Sequence, residues 1–155
     1  MTDPSPASAT PAASAMSATP AMTVAELQEM LDQSFPGVTL PYTVESATTT
    51  TARVRQRIGR SDSRPGGTVS GPTLMALADV GAWMVIVAQI GPVALSVTTS
   101  LHIDFLRKPE LVDVVAEATL LKLGKRLAVA EVALYSDGHQ EVVAKAQVTY
   151  SIPPR

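Results

Sequence analysis

The chain contains no cysteine, which removes disulfide frameworks, thiolate metal sites and thiol nucleophiles together. Its two histidines, His102 and His139, stand far apart in sequence. A structural or catalytic metal needs three or four ligands at defined spacing, and no such set is present. Aromatic residues make up 4% and charged residues 17% of 155 positions, against 46% hydrophobic. That is little charge for a lone domain, and oligomerisation is the simplest cover for the surplus apolar surface. Basic residues are not in excess either: 12 Lys and Arg against 14 Asp and Glu leave a net charge of −2, the reverse of a nucleic-acid-tracking protein. Residues 1–22 hold no Lys or Arg, so the charged start of an export signal and the arginines of a transit peptide are both missing. The longest unbroken apolar run, Val80–Ala88 with its glycine, is far below the ~20 residues of a membrane helix. These absences predict a cytoplasmic homo-oligomer without a membrane span, nucleic-acid partner or metal.

What is present is strongly ordered along the chain. Residues 1–22 are almost entirely Ala, Ser, Thr and Pro, a composition that cannot offset the entropy of folding and predicts a disordered tail. One domain is expected over 23–155. Thr23 with Glu26 fits a capping box, and Val24, Leu27, Met30 and Leu31 recur at helical spacing until Phe35-Pro36-Gly37. Two Thr- and Val-rich strands are expected over 38–44 and 48–58, joined by a turn at 45–47. A polar loop follows over 59–69. From Gly71 to Gln89 apolar residues leave almost no polar face, which predicts a helix buried on all sides. Four strands then fill 94–106, 111–123, 126–136 and 141–150, separated by turn residues such as Asp137-Gly138. The expected architecture is α+β, with one curved antiparallel sheet wrapped around a long central helix.

Asp79 is the most informative residue. It lies mid-helix among Leu77, Ala78, Val80 and Ala82, where a carboxylate needs either a partner or a use. The helix start, Val69-Ser70-Gly71-Pro72, supplies free N–H groups and a positive dipole end suited to a developing oxyanion, and Gly71 has no side chain to block approach. Eight residues separate Gly71 from Asp79, roughly 12 Å along the axis, too far for both to reach one reacting carbon. If both act, each site combines Gly71 of one subunit with Asp79 of another. Strand 94–106 alternates Val97, Thr99, Leu101, Ile103 and Phe105 with Thr98, Ser100, His102 and Asp104. No nucleophile elbow or phosphate-binding glycine motif occurs.

The stretches Arg64-Pro-Gly-Gly-Thr-Val-Ser-Gly-Pro-Thr-Leu-Met-Ala-Leu-Ala-Asp79, Val97-Thr-Thr-Ser-Leu-His-Ile-Asp-Phe-Leu-Arg-Lys-Pro109 and Leu123-Gly-Lys-Arg-Leu-Ala-Val129 carry a resemblance. The sequence resembles the hotdog-fold acyl-CoA thioesterases, in particular the phenylacetate-degradation-type family, over most of residues 38–150. The resemblance implies hydrolysis of an acyl-CoA thioester to free acid and CoA at sites shared between subunits, in a dimer at minimum and a tetramer as the expected assembly. CoA would be part of the substrate, with no separate cofactor. Asp79 would be general base or nucleophile, the Gly71 N–H the oxyanion donor, and Thr98 the polar residue near the carboxylate. Around them Arg64, Ser70, Pro72, Met75, Trp83, Ser100 and His102 are candidates for substrate contact, and Lys108, Lys125 and Arg126 for the CoA phosphates.

Two departures accompany the likeness. The family reads His-Gly-Gly where this chain reads Ser70-Gly71-Pro72, and Asn or Gln where it reads Arg64. An acyl-CoA-binding protein without turnover is therefore an alternative. A third is an enoyl-CoA hydratase or dehydratase, which requires His102 to reach Asp79 across the sheet.

Overall fold

The capping box forms as read: Thr23 Oγ1 accepts from the Glu26 N–H and the Thr23 N–H donates to Glu26 Oε2, starting helix α1 at Val24–Gln33. A computed structural model describes residues 19–154; the tail expected over 1–22 lies mostly outside the described residues. Its last two residues are held in place. Ala21 N–H donates to Ala88 O at 2.7 Å, and Met22 is buried in the same core as Leu27, the two positions a hydrophobic staple joins.

Six long strands form one antiparallel sheet. β1 (Tyr42–Ala47), β2 (Thr51–Gln56), β5 (Val97–Phe105), β6 (Val114–Leu123), β7 (Leu127–Ser136) and β8 (Val142–Ser151) lie in the order β1-β2-β6-β7-β8-β5. The loop expected over 59–69 is instead one 3₁₀ turn, Arg60–Asp62, and a short hairpin of β3 (Ser63–Arg64) and β4 (Thr68–Val69). β1 also runs through the expected turn, because a bulge at Glu45 lets pairing resume at Ser46; Glu45 then meets Arg53 at 2.8 Å and also pairs Arg55.

Helix α2 (Gly71–Ile90) crosses the concave face of this sheet. By length and composition it matches a membrane-crossing helix, but here the sheet covers it: Leu74, Leu77, Ala78 and all of 81–88 are buried. The inward residues of the strands close over it, as Ala52, Val54, Val114, Ala116, Ala130, Val132, Leu134, Ala146 and Val148 show. Alanine is frequent on that face because a whole helix must fit there. At Gly81 the helix lies close against the sheet, since a Cβ at that position would stand 3.2 Å from Ala116 Cβ. This is the α+β hotdog arrangement.

The two sheet edges differ. Along β1, the Gln28 side chain from α1 donates to Tyr42 O and accepts from Val44 N–H, so two of its outward backbone groups are already used. β5 pairs only with β8, and among the described residues no element covers its other edge.

Candidate active site

Asp79 projects from the middle of α2 toward the β5–β8 end of the sheet. Its Oδ1 accepts two hydroxyls, Thr98 Oγ1 at 2.7 Å and Tyr150 Oη at 2.8 Å. Oδ2 accepts from none among the described residues. The carboxylate is half-buried beside a cavity of about 420 Å³, walled by Phe35, Val80, Trp83, Ala94 and Val97. It is thus positioned by two donors on one oxygen, beside a cavity large enough for a ligand.

Thr98 reaches Asp79 because the strand departs from simple alternation. Alternation puts Thr98 on the same face as Ser100 and His102, but the register slips between Thr98 and Ser100, so Thr99 is an extra residue. The bulge turns Thr98 inward opposite Tyr150 while Leu101, Ile103 and Phe105 keep the inner face. Ser100 and His102 are left on the outer face, away from Asp79. His102 is exposed and lies 3.3 Å from Asp104, so the histidine–carboxylate pair a hydratase would need is not assembled. Tyr150 was not singled out from the sequence. Its alternation with Ala144, Ala146 and Val148 marks it as inward, and a buried tyrosine hydroxyl usually has a partner, but only the packing of α2 names that partner. Burial, and then the nearby Asp79 charge, push the Tyr150 phenol well above its ordinary pKa. It remains a neutral donor.

The start of α2 leaves one donor open. Ser70 is the N-cap, with Gly71 and Pro72 as the first two helical residues. Ser70 N–H donates to Asp62 O at 2.7 Å, and Ser70 Oγ accepts from Thr73 N–H at 3.4 Å. Leu74 N–H takes Ser70 O, and Pro72 has no N–H. Among the described residues, only Gly71 of this first turn retains an N–H with no acceptor. The Ser70 hydroxyl is occupied by capping and by Thr73 Oγ1 at 2.8 Å. Gly71 is not bare, however: a Cβ there would meet the Phe105 ring at 3.3 Å, so the glycine makes room for Phe105.

A second cavity, of about 390 Å³, opens at this helix end and is lined by Arg64, Val69, Gly71, Leu74 and the segment 105–109, which includes Lys108. No lining residue is common to it and the Asp79 cavity. One chain therefore brings Asp79, Thr98 and Trp83 together, and separately Gly71, Arg64 and Lys108. Lys125 and Arg126 border a third cavity with Leu123 and Pro154. Met75 and Pro72 are exposed and line neither of the first two. Among the described residues no three His, Asp or Glu side chains are grouped for a metal.

Comparison with known proteins bears on this arrangement. The sequence profile of the thioesterase superfamily matches residues 66–149, a span that includes both Gly71 and Asp79. Among solved structures, a candidate thioesterase from Silicibacter sp. is 38% identical, covering 88% of this chain and 96% of its own, with a TM-score of 0.81. A mutant of the phenylacetic acid degradation protein of Thermus thermophilus is 26% identical over 74% of this chain and 95% of its own, at a TM-score of 0.64. Zebrafish thioesterase superfamily member 2, at 19% identity and TM-score 0.76 over 86% of this chain and 100% of its own, shares the fold. No curated protein matches the chain. With its profile spanning more than half the sequence and one relative alike along nearly its full length, the chain belongs to the thioesterase superfamily and is a thioesterase-type hydrolase of the hotdog fold.

Proposed function

We propose that the protein hydrolyses acyl-CoA thioesters at sites built from two subunits, with Asp79 of one and the Gly71 N–H of the other. The observation that carries this reading is the placing of the two groups in separate cavities at opposite ends of one open edge strand. β5 begins at Val97 and Thr98, beside Asp79, and ends at Phe105, against Gly71. A second copy adding its own β5 antiparallel about Leu101, the middle of that strand, sets Val97 opposite Phe105 of the second copy. The Asp79 cavity of each chain then adjoins the Gly71 cavity of the other. An unpaired strand edge favours such pairing, and Gln28 makes the other edge a poorer partner.

In the assembled site the thioester carbonyl oxygen lies on the Gly71 N–H, and a water lies on Asp79 Oδ2. As the water oxygen attacks the carbonyl carbon, Oδ2 takes its proton and the negative charge develops against the helix N-terminus. Collapse of the tetrahedral intermediate breaks the carbon–sulfur bond. The proton on Oδ2 passes to the departing sulfur, giving CoA thiol and the free acid. Phe35, Val80, Trp83 and Val97 are apolar walls for the acyl tail. Arg64 and Lys108, which make no ion pair among the described residues, stand where the phosphates of CoA would leave the pocket.

The test is thiol release from a panel of short, long and aromatic acyl-CoAs by wild type and Asp79→Asn. Asn keeps an oxygen for Thr98 and Tyr150 but offers an N–H₂ where Oδ2 stood. Turnover by wild type that falls by about 10²-fold or more in an intact oligomer is expected. Binding of acyl-CoA with no release from any thioester would replace this reading with that of a binding protein.

A further inference from the structure

We propose that Tyr150 is a positioning residue of this site: its hydroxyl and that of Thr98 occupy Oδ1 of Asp79 together and leave Oδ2 as the only oxygen able to take the water proton. The inference rests on the reading of Asp79 as the base. It begins with counting. A carboxylate oxygen accepts about two hydrogen bonds, and Oδ1 already has two, at 2.7 and 2.8 Å. Water arriving in the cavity finds a free lone pair on Oδ2 alone.

The two donors come as a unit. Thr98 and Tyr150 are direct cross-strand partners on β5 and β8, and side chains so paired start about 5 Å apart. The Thr99 bulge is what brings Thr98 to that face. Tyr150 is 5% exposed, so its ring is held by the core, and its hydroxyl also lies 3.2 Å from the Asp79 main-chain oxygen. Its one proton is shared between them, mainly with the nearer carboxylate oxygen, so the buried ring ties the carboxylate to the turn of α2 from which it projects. A threonine alone, on an edge strand, is a weaker anchor.

Tyr150→Phe removes one oxygen atom from a buried ring and leaves its packing. Relative to wild type, kcat is expected to fall about tenfold or more, the loss of one hydrogen bond to a charged group, with KM within about twofold. The acid limb of the pH–rate profile should move to higher pH, because a carboxylate with fewer donors holds its proton more readily. In an Asp79→Asn background Tyr150→Phe should cost nothing further. A role in folding alone would lower the melting temperature and leave kcat and the acid limb in place; with Asp79→Asn inactive, that result overturns the inference and spares the base. Wild-type turnover by Asp79→Asn overturns both. Should Tyr150→Phe lose its oligomer, Thr98→Val removes the other donor from the same oxygen, and an unchanged kcat and acid limb there overturns the proposal.

Discussion

Two inactive variants of this protein should restore each other. Gly71→Pro deletes the one free N–H of the first turn with little damage to the helix. The position is the first helical residue, where proline is favoured, and Ser70 before it already has ψ 152°, the extended conformation a residue preceding proline requires. The added Cβ meets the ring of Phe105, which is half-exposed and able to shift. Loss of an oxyanion donor is worth about 10²–10³ in kcat. Gly71→Ala is the control, since it makes the same contact with Phe105 but keeps the N–H. It should retain most of the activity.

Consider then a dimer with one Gly71→Pro chain and one Asp79→Asn chain. If each site joins Asp79 of one chain to Gly71 of the other, one site has both defects and the other has none. Random reassortment of equal amounts makes half the dimers mixed, each with one intact site of two, so activity should return to about a quarter of wild type. The assay is thiol release before and after the two variants are unfolded and refolded together, or co-expressed with different tags and purified through both. Doubly tagged protein should show about half the wild-type rate per dimer. If Asp79 and Gly71 of one chain served the same site, every site in the mixture would be broken and no activity would return; that result would refute the shared-site argument.

Two further outcomes follow from the packing and the charge. Arg64→Ala should raise KM for acyl-CoA about five- to tenfold and leave KM for the matching N-acetylcysteamine thioester, which has no phosphate, unchanged; Lys108→Ala should act in the same direction, and a uniform effect on both substrates would remove the phosphate role. Gly81→Val should destabilise the protein by about 2 kcal/mol or more, read as a lower denaturant midpoint, because the Cβ already stands 3.2 Å from Ala116 on a central strand and the methyls have nowhere to go. Gly81→Ala should cost less, its helix propensity gain of about 1 kcal/mol offsetting part of the same contact; a Val variant that melts like wild type would contradict the packing.

Much of this fold was written locally. The Thr23–Glu26 box, the uninterrupted apolar surface of 71–90 and the alternation within 114–123, 127–136 and 142–151 are patterns of neighbouring residues, so periodicity alone was enough to read a helix wrapped by sheet. Asp79 stood out for the same reason, as a carboxylate among apolar neighbours. The positions misread were those where one residue changes the phase. The bulge at Thr99 reversed the face of Thr98 and left Ser100 and His102 outside, and the bulge at Glu45 carried β1 through an expected turn. A bulge arises from what the paired strand and the helix beneath it demand, and nothing in the residues of β5 alone announces it.

By itself, then, the sequence determined the two helices and the six long strands, most of the apolar faces, and a carboxylate set among apolar residues midway along the central helix. The tertiary structure decided the rest: that Tyr150, seventy-one positions from Asp79, donates to the same carboxylate oxygen as Thr98, that Gly71 and Asp79 face different cavities, and that Gln28 occupies part of one sheet edge while, among the described residues, nothing covers the other. Those facts depend on distances between residues remote in sequence, which are fixed by how a twisted sheet closes on a helix and not by any run of neighbouring side chains.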